Sequence, residues 1–170
     1  RPVCGIMLFA KTSKGASRLS EQFRNHAVEK THHSIVCGKS PHGANLALRG
    51  GPAQNKGVLV NHLIKDEKLK KAREHGDGQE AKLFYEVVKT NGRHSLLKIK
   101  IEGGKFHQIR SQLSLAGFPI LGDVKYNGQK WSDDGAIALC ATGLDFHPAT
   151  SNEMVRLSIE TPKEWSRYFV

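Results

Sequence analysis

The chain is poor in cysteine, in long apolar runs and in acidic charge, and each shortage excludes a class of protein. Its three cysteines, Cys4, Cys37 and Cys140, are far apart and odd in number. That excludes the paired framework of a small secreted domain and predicts reduced, buried thiols with a packing role, as in a cytosol or an organelle matrix, mitochondrial included. No apolar run approaches the roughly 20 residues of a membrane helix, so no membrane partner is expected. The N-terminal residue is Arg1 rather than Met, and nothing there resembles a signal peptide. The expectation is a chain that begins inside a longer, non-secreted one.

Acidic residues number 16 against 26 Lys and Arg, giving a formal charge of +10. The excess is uneven, with 14 basic and 7 acidic side chains in residues 1–80 against 12 and 9 in the remainder. Such an imbalance in a chain of ordinary hydrophobic content (38%) predicts a polyanionic partner, because each cation placed on a phosphate releases condensed counterions. Nucleic acid leads, and a charge that only aids solubility is the plainer alternative.

Several catalytic and cofactor motifs are also missing. Gly38-Lys39-Ser40 ends like a phosphate-binding loop, but His33 stands where that motif needs glycine. His26, His32, His33 and Cys37 are close in sequence without a second ligand pair, and a strand sends His32 and His33 to opposite faces, so no metal is expected. There is no Gly-x-Ser-x-Gly, no methyl-donor glycine motif and no zinc-deaminase set.

What is present fits one domain of 170 residues, long enough to bury a core without staples. The run 5–10 is suited to a buried strand, Thr12 and Ser13 to a helix cap, and apolar positions at helical spacing continue to about Asn25. Residues 28–38 end as a strand, 39–57 read as loop, and 57–64 as a further strand. The charge-rich stretch from Lys65 to Gly78 reads as a solvated loop or short helix, a connection rather than a core element. Asn91-Gly92 between β-prone runs 81–89 and 94–102 signals a hairpin. Gln108 to Ala116 suggests a helix capped by Gly117, and 136–146 and 154–161 close the chain as strands. The fold class expected is α+β, a mostly antiparallel mixed sheet flanked by helices, in a single domain over 1–170.

The most specific segment is Gly103-Gly104-Lys105-Phe106-His107-Gln108-Ile109-Arg110, followed by Gly117-Phe118-Pro119-Ile120-Leu121-Gly122-Asp123 and Tyr126. It describes a strand passing through glycines into a helix start, a junction suited to presenting backbone N–H groups and cations to an anion. A glycine-punctuated core junction with an ordinary arginine has the same composition.

These residues resemble the G-R-x-H-Q-I-R…G-x-P-I-x-G-D-x-x-Y signature of the RluA-like RNA pseudouridine synthases. The resemblance extends to Arg1-Pro2-Val3-Cys4-Gly5, to 30–38, and to Leu139-Cys140-Ala141 with Phe146-His147-Pro148. It implies the pseudouridine synthase fold with an RNA-binding cleft, and isomerisation of uridine in RNA, rRNA first and tRNA second, without cofactor or metal. An aspartate carboxylate is the family nucleophile, and motif position puts it directly before Arg1. Arg110 matches the arginine that pairs with it, Leu139 the apolar residue packed at the site, and His32 the position of the family tyrosine that stacks on the base. Lys105 stands where the family has arginine. Lys105, His107, Gln108, Arg1, Lys11 and Lys14 are the expected RNA contacts. Tyr85 matches a later strand position and is expected to be structural. The alternative is a family member that has lost catalysis and serves as an RNA-binding factor in ribosome assembly, which His32 motivates.

Overall fold

The computed structural model describes residues 3–37, 55–132, 134–151 and 153–170. Arg1 and most of the stretch 39–57 lie outside them. Among the described residues eight strands form one sheet. Helix α1 (Ser13–Arg24) follows β1 (Cys4–Gly5), and α2 (Gln108–Leu115) follows β6 (His94–Ile101). The other strands are β2 (Glu29–Cys37), β3 (Lys56–Asp66), β4 (Lys71–Glu74), β5 (Gln79–Thr90), β7 (Leu139–Phe146) and β8 (Val155–Ser158). Their order is β1-β7-β2-β6-β5-β3-β4, with β8 also beside β7. Every pairing is antiparallel except β1 with β7, so the expected α+β class and mixed sheet are found.

Register divides the sheet into two faces, because directly paired residues share a face and successive residues alternate. Leu59 pairs with Leu83, Leu83 with Ile101, Tyr85 with Ile99, Ile99 with His32, and His32 with Ala141. This face carries most of the core, and α2 covers it through Ile109 and Leu113. The other face of β3 and β5 shows Val58, Val60 and Phe84 at 44%, 51% and 38% exposure. Gln112, fully buried in α2, ties helix to sheet by donating its amide to the Leu59 and Ala81 carbonyls and to Asn61 Oδ1.

Local chemistry explains most element ends. The Thr12 hydroxyl caps α1 by accepting from the Gly15 N–H. Asn91 Oδ1 accepts from the Arg93 and His94 N–H groups in the β5–β6 turn. Gly117 follows the α2 C-cap at φ +83°.

Three expectations are corrected. Of the run 5–10 only Gly5 is in a strand, β1 being Cys4–Gly5, and Met7 and Phe9 lie in the open at 72% and 77% exposure. A Cβ at Gly5 would stand 2.3 Å from the Ala141 carbonyl oxygen, so glycine permits the close β1–β7 approach there. The charge-rich stretch is a β-hairpin, not a loose connection. Asp66 Oδ1 accepts from the Lys68 and Leu69 N–H groups at its turn, and Ala72 is buried. Cys37 and Cys140 are buried thiols, whereas Cys4 is exposed because β1 lies at the sheet edge; all three are free. Among the described residues no helix is long and apolar enough to cross a membrane.

Candidate active site

The site is built where β6 runs into α2. Gly103 sits at φ +76°, in the left-handed region that favours glycine, and its carbonyl accepts a 3.2 Å bond from the Lys30 ammonium of β2. Lys30 is half-buried, and burial lowers its pKa. Gln108 locks the other side of this turn: Oε1 accepts from the Lys105 N–H and Nε2 donates to the Lys82 carbonyl. With 2% exposure and both amide ends engaged, Gln108 holds the junction and does not reach RNA, which corrects the expectation for it.

In the first turn of α2, Arg110 donates Nε–H to Asp123 Oδ2 at 2.7 Å and Nη2–H to Asp123 Oδ1 at 2.6 Å. The side chains are 11% and 1% exposed, and such a fork fixes the guanidinium plane as well as its charge. Arg110 Nη1 donates to His107 Nε2 at 3.1 Å, and His107 Nδ1 lies 2.9 Å from the Tyr126 hydroxyl. Because Nε2 accepts, the imidazole proton sits on Nδ1 and is donated to Tyr126, whose oxygen also accepts the Ala72 N–H at 2.7 Å. Burial, then the Arg110 and Lys125 charges, push the His107 pKa down to about 4, consistent with a neutral ring.

His107, expected to contact RNA, therefore has both nitrogens engaged inside the protein and serves as a strut. Arg110 keeps two of its five N–H donors beyond these three bonds. Asp123 was legible as part of the signature but not as the partner of Arg110. It cannot supply a nucleophile, since both its oxygens are held and it is buried.

His32 lies on the face that α2 covers, flanked across the strands by Ile99 and Ala141; Leu139, two residues before Ala141, shares that face. The Leu139 side chain is 5% exposed. The Nδ1 of His32 is buried without a hydrogen-bond partner. Burial, then the Lys30 and His33 charges, lower its pKa to about 4. His33 faces the other way, its Nδ1 2.7 Å from the Thr142 hydroxyl, as strand alternation predicts. Tyr85, 5% exposed, also has a buried hydroxyl without a partner.

The rim is basic and aromatic. Lys105 is partly exposed beside Phe106, the Lys65 ammonium stands 5.2 Å from the Phe106 ring centre, and that of Lys71 stands 5.8 Å from the Tyr126 ring centre. Lys11 and Lys14 are exposed at the start of α1. Arg1 lies outside the described residues. The Arg110 guanidinium, fixed by Asp123 and His107, can hold an anion with its two remaining donors, and on the sheet His32 presents a neutral imidazole beside Ile99.

The RNA pseudouridylate synthase family model matches residues 1–115. The tRNA pseudouridine synthase C of Vibrio parahaemolyticus is 29% identical over 191 aligned positions, covering 99% of this chain and 72% of that protein. The ribosomal large subunit pseudouridine synthase D of Blochmanniella floridana is 31% identical over 167, covering 88% and 48%. Among curated relatives the chain spans as little as 25% or 36% of the matching protein's length. The solved structure of human RNA pseudouridylate synthase domain containing 1 shares the fold, with a TM-score of 0.68 at 16% identity over 90% of this chain and 62% of that one.

Proposed function

Because the chain belongs to the RNA pseudouridylate synthase family, we propose that residues 1–170 form one catalytic domain that isomerises uridine to pseudouridine in structured RNA. The observation that carries this reading is Arg110. It is forked by Asp123 and braced by His107, and it keeps two N–H donors beyond those three bonds.

A carboxylate set against those two donors is held ionised, since an adjacent guanidinium favours the charged form. That is what a carboxylate nucleophile needs. We assign the nucleophile to the aspartate that the motif puts before Arg1. Its attack on a flipped nucleotide lets the C1′–N1 glycosidic bond break and the base turn; a C1′–C5 bond then forms as the carboxylate is freed, and the proton lost from C5 is balanced by one gained at N1. The product is an isomer of the substrate, so the balance requires no redox partner. His32 meets the base as a neutral ring that stacks and offers Nδ1. The lysines at the rim, with Lys11 and Lys14, offset through phosphate contacts the few kcal/mol that flipping costs.

Relatives are named for tRNA and for large-subunit rRNA. We place rRNA first as substrate, with a ribosomal particle as its carrier, and the cytosol or an organelle matrix, mitochondrial included, as the compartment. His32 at the tyrosine position supports a second reading, an RNA-binding factor for ribosome assembly that has lost catalysis.

One experiment separates them: incubation of the full-length protein with rRNA and tRNA pools, followed by pseudouridine mapping. Catalysis predicts a discrete modified site that disappears in Arg110→Ala while RNA affinity is largely kept. RNA binding without any modified site leaves the assembly factor. Loss of binding in Arg110→Ala with the residual chemistry intact overturns the role given to Arg110.

A further inference from the structure

Phe106 plays no part in the scaffold just described, yet it is an exposed ring next to it. It is 39% exposed and belongs to neither core cluster. One face stacks on His107, with ring centres 4.0 Å apart and planes at 23°. His107 cannot turn away, because its two nitrogens are engaged by Arg110 and Tyr126. The phenyl ring is thus an aromatic platform braced from behind by His107, the same residue that Arg110 holds.

A groove of about 610 Å³ opens along it, lined by Lys65, Gly104, Lys105 and Phe106 and, on β5 and the turn before it, by Gln79 and Asp77. Lys65 stands 5.2 Å from the ring centre and 2.9 Å from Glu67 in an exposed ion pair. Such pairs are weak, so Lys65 is free to move to a phosphate. The groove offers the parts a single nucleotide uses: a flat apolar surface for the base, two ammonium groups for the backbone, and the Gln79 and Asp77 side chains for base edges.

We propose that Phe106, with Lys65 and Lys105, forms a stacking subsite for one unpaired nucleotide of the RNA, next to the nucleotide held at Arg110. The inference rests on the RNA reading above and adds a requirement to it: the substrate is single-stranded at that step, because a ring cannot stack on a base that is already paired within a helix. The subsite would favour loops and bulges over continuous duplex whatever their sequence, since every base has a flat face.

The test uses the full-length protein and two labelled RNAs of equal length, a stem-loop and a blunt duplex, with affinities read by fluorescence anisotropy. Phe106→Leu is expected to weaken stem-loop binding about tenfold, the scale of one base–aromatic stack, and duplex binding less than about twofold; Phe106→Trp should keep both. Unchanged stem-loop binding in Phe106→Leu, or equal losses on both RNAs, overturns the proposal. Should Phe106→Leu fail to fold by circular dichroism, wild type is titrated against stem-loops carrying 2-aminopurine at successive loop positions. A quench at one position on binding supports the subsite, and no quench at any position overturns it. Pseudouridine mapping on the same samples is scored separately. Absence of product with a preserved loop preference removes the catalytic reading and leaves the subsite standing.

Discussion

Asp123 grips Arg110 through two parallel hydrogen bonds, from 13 residues downstream and across the turn that leaves α2. A buried charge that loses its partner is costly, about 3–5 kcal/mol. Asp123→Ala should therefore lose about that much in urea unfolding. The double variant Arg110→Met, Asp123→Ala should regain part of it, since removing both charges leaves neither stranded. Additive losses in the double variant would show that the pair is not a unit.

His32 carries a pH signature. Its folded pKa is about 4 against 6.5 for the free side chain. Between these values the unfolded chain binds a proton that the folded one refuses. Stability from this group is then complete above about pH 6.5 and is lost as pH falls toward 4, at up to about 1.4 kcal/mol per pH unit. His107 acts in the same sense and window. Urea midpoints at pH 4.5, 5.5 and 7 should fall on acidification in wild type and fall less in His32→Phe. A variant whose midpoints track wild type at every pH would mean that His32 titrates alike in the folded and unfolded chain.

The elements legible in the sequence were those whose signal is local. Asn91-Gly92 marked a hairpin because the Asn side chain makes the turn by itself, and the spacing of Ile109, Gln112 and Leu113 marked α2 because that face is buried. The β3–β4 hairpin was hidden because only Ala72 of β4 is buried, too little to outweigh the lysines around it. The run 5–10 misled in the other direction, since an apolar stretch does not say whether a partner strand continues beside it. In the site, Arg110 could be singled out but not its fork with Asp123, which tertiary structure alone brings together. Gln108 and His107 were expected, with the family signature, to contact RNA, yet both are spent on backbone, arginine or tyrosine partners.

Gly103 tests the junction itself. At φ +76° an alanine pays roughly 1–2 kcal/mol for the left-handed conformation, and its Cβ would stand 3.2 Å from His26 Cε1. Gly103→Ala should lower the thermal midpoint, and it should also weaken RNA binding, because Lys30 and Lys105 are positioned from this turn. A midpoint equal to or above that of wild type would refute the strained geometry.

Lys105 tests the phosphate argument. It occupies the position where the family signature has arginine, and its ammonium can neutralise one phosphate without the planar fork of a guanidinium. Each such contact contributes about one unit to the slope of log affinity against log salt, whatever the RNA sequence. Lys105→Ala should therefore flatten that slope by about one and weaken stem-loops of unrelated sequence to the same degree. Lys105→Arg should keep the wild-type slope and bind at least as tightly, since the charge is retained and a second donor pair is gained. If Lys105→Ala instead discriminates between sequences while leaving the slope untouched, Lys105 reads bases rather than backbone.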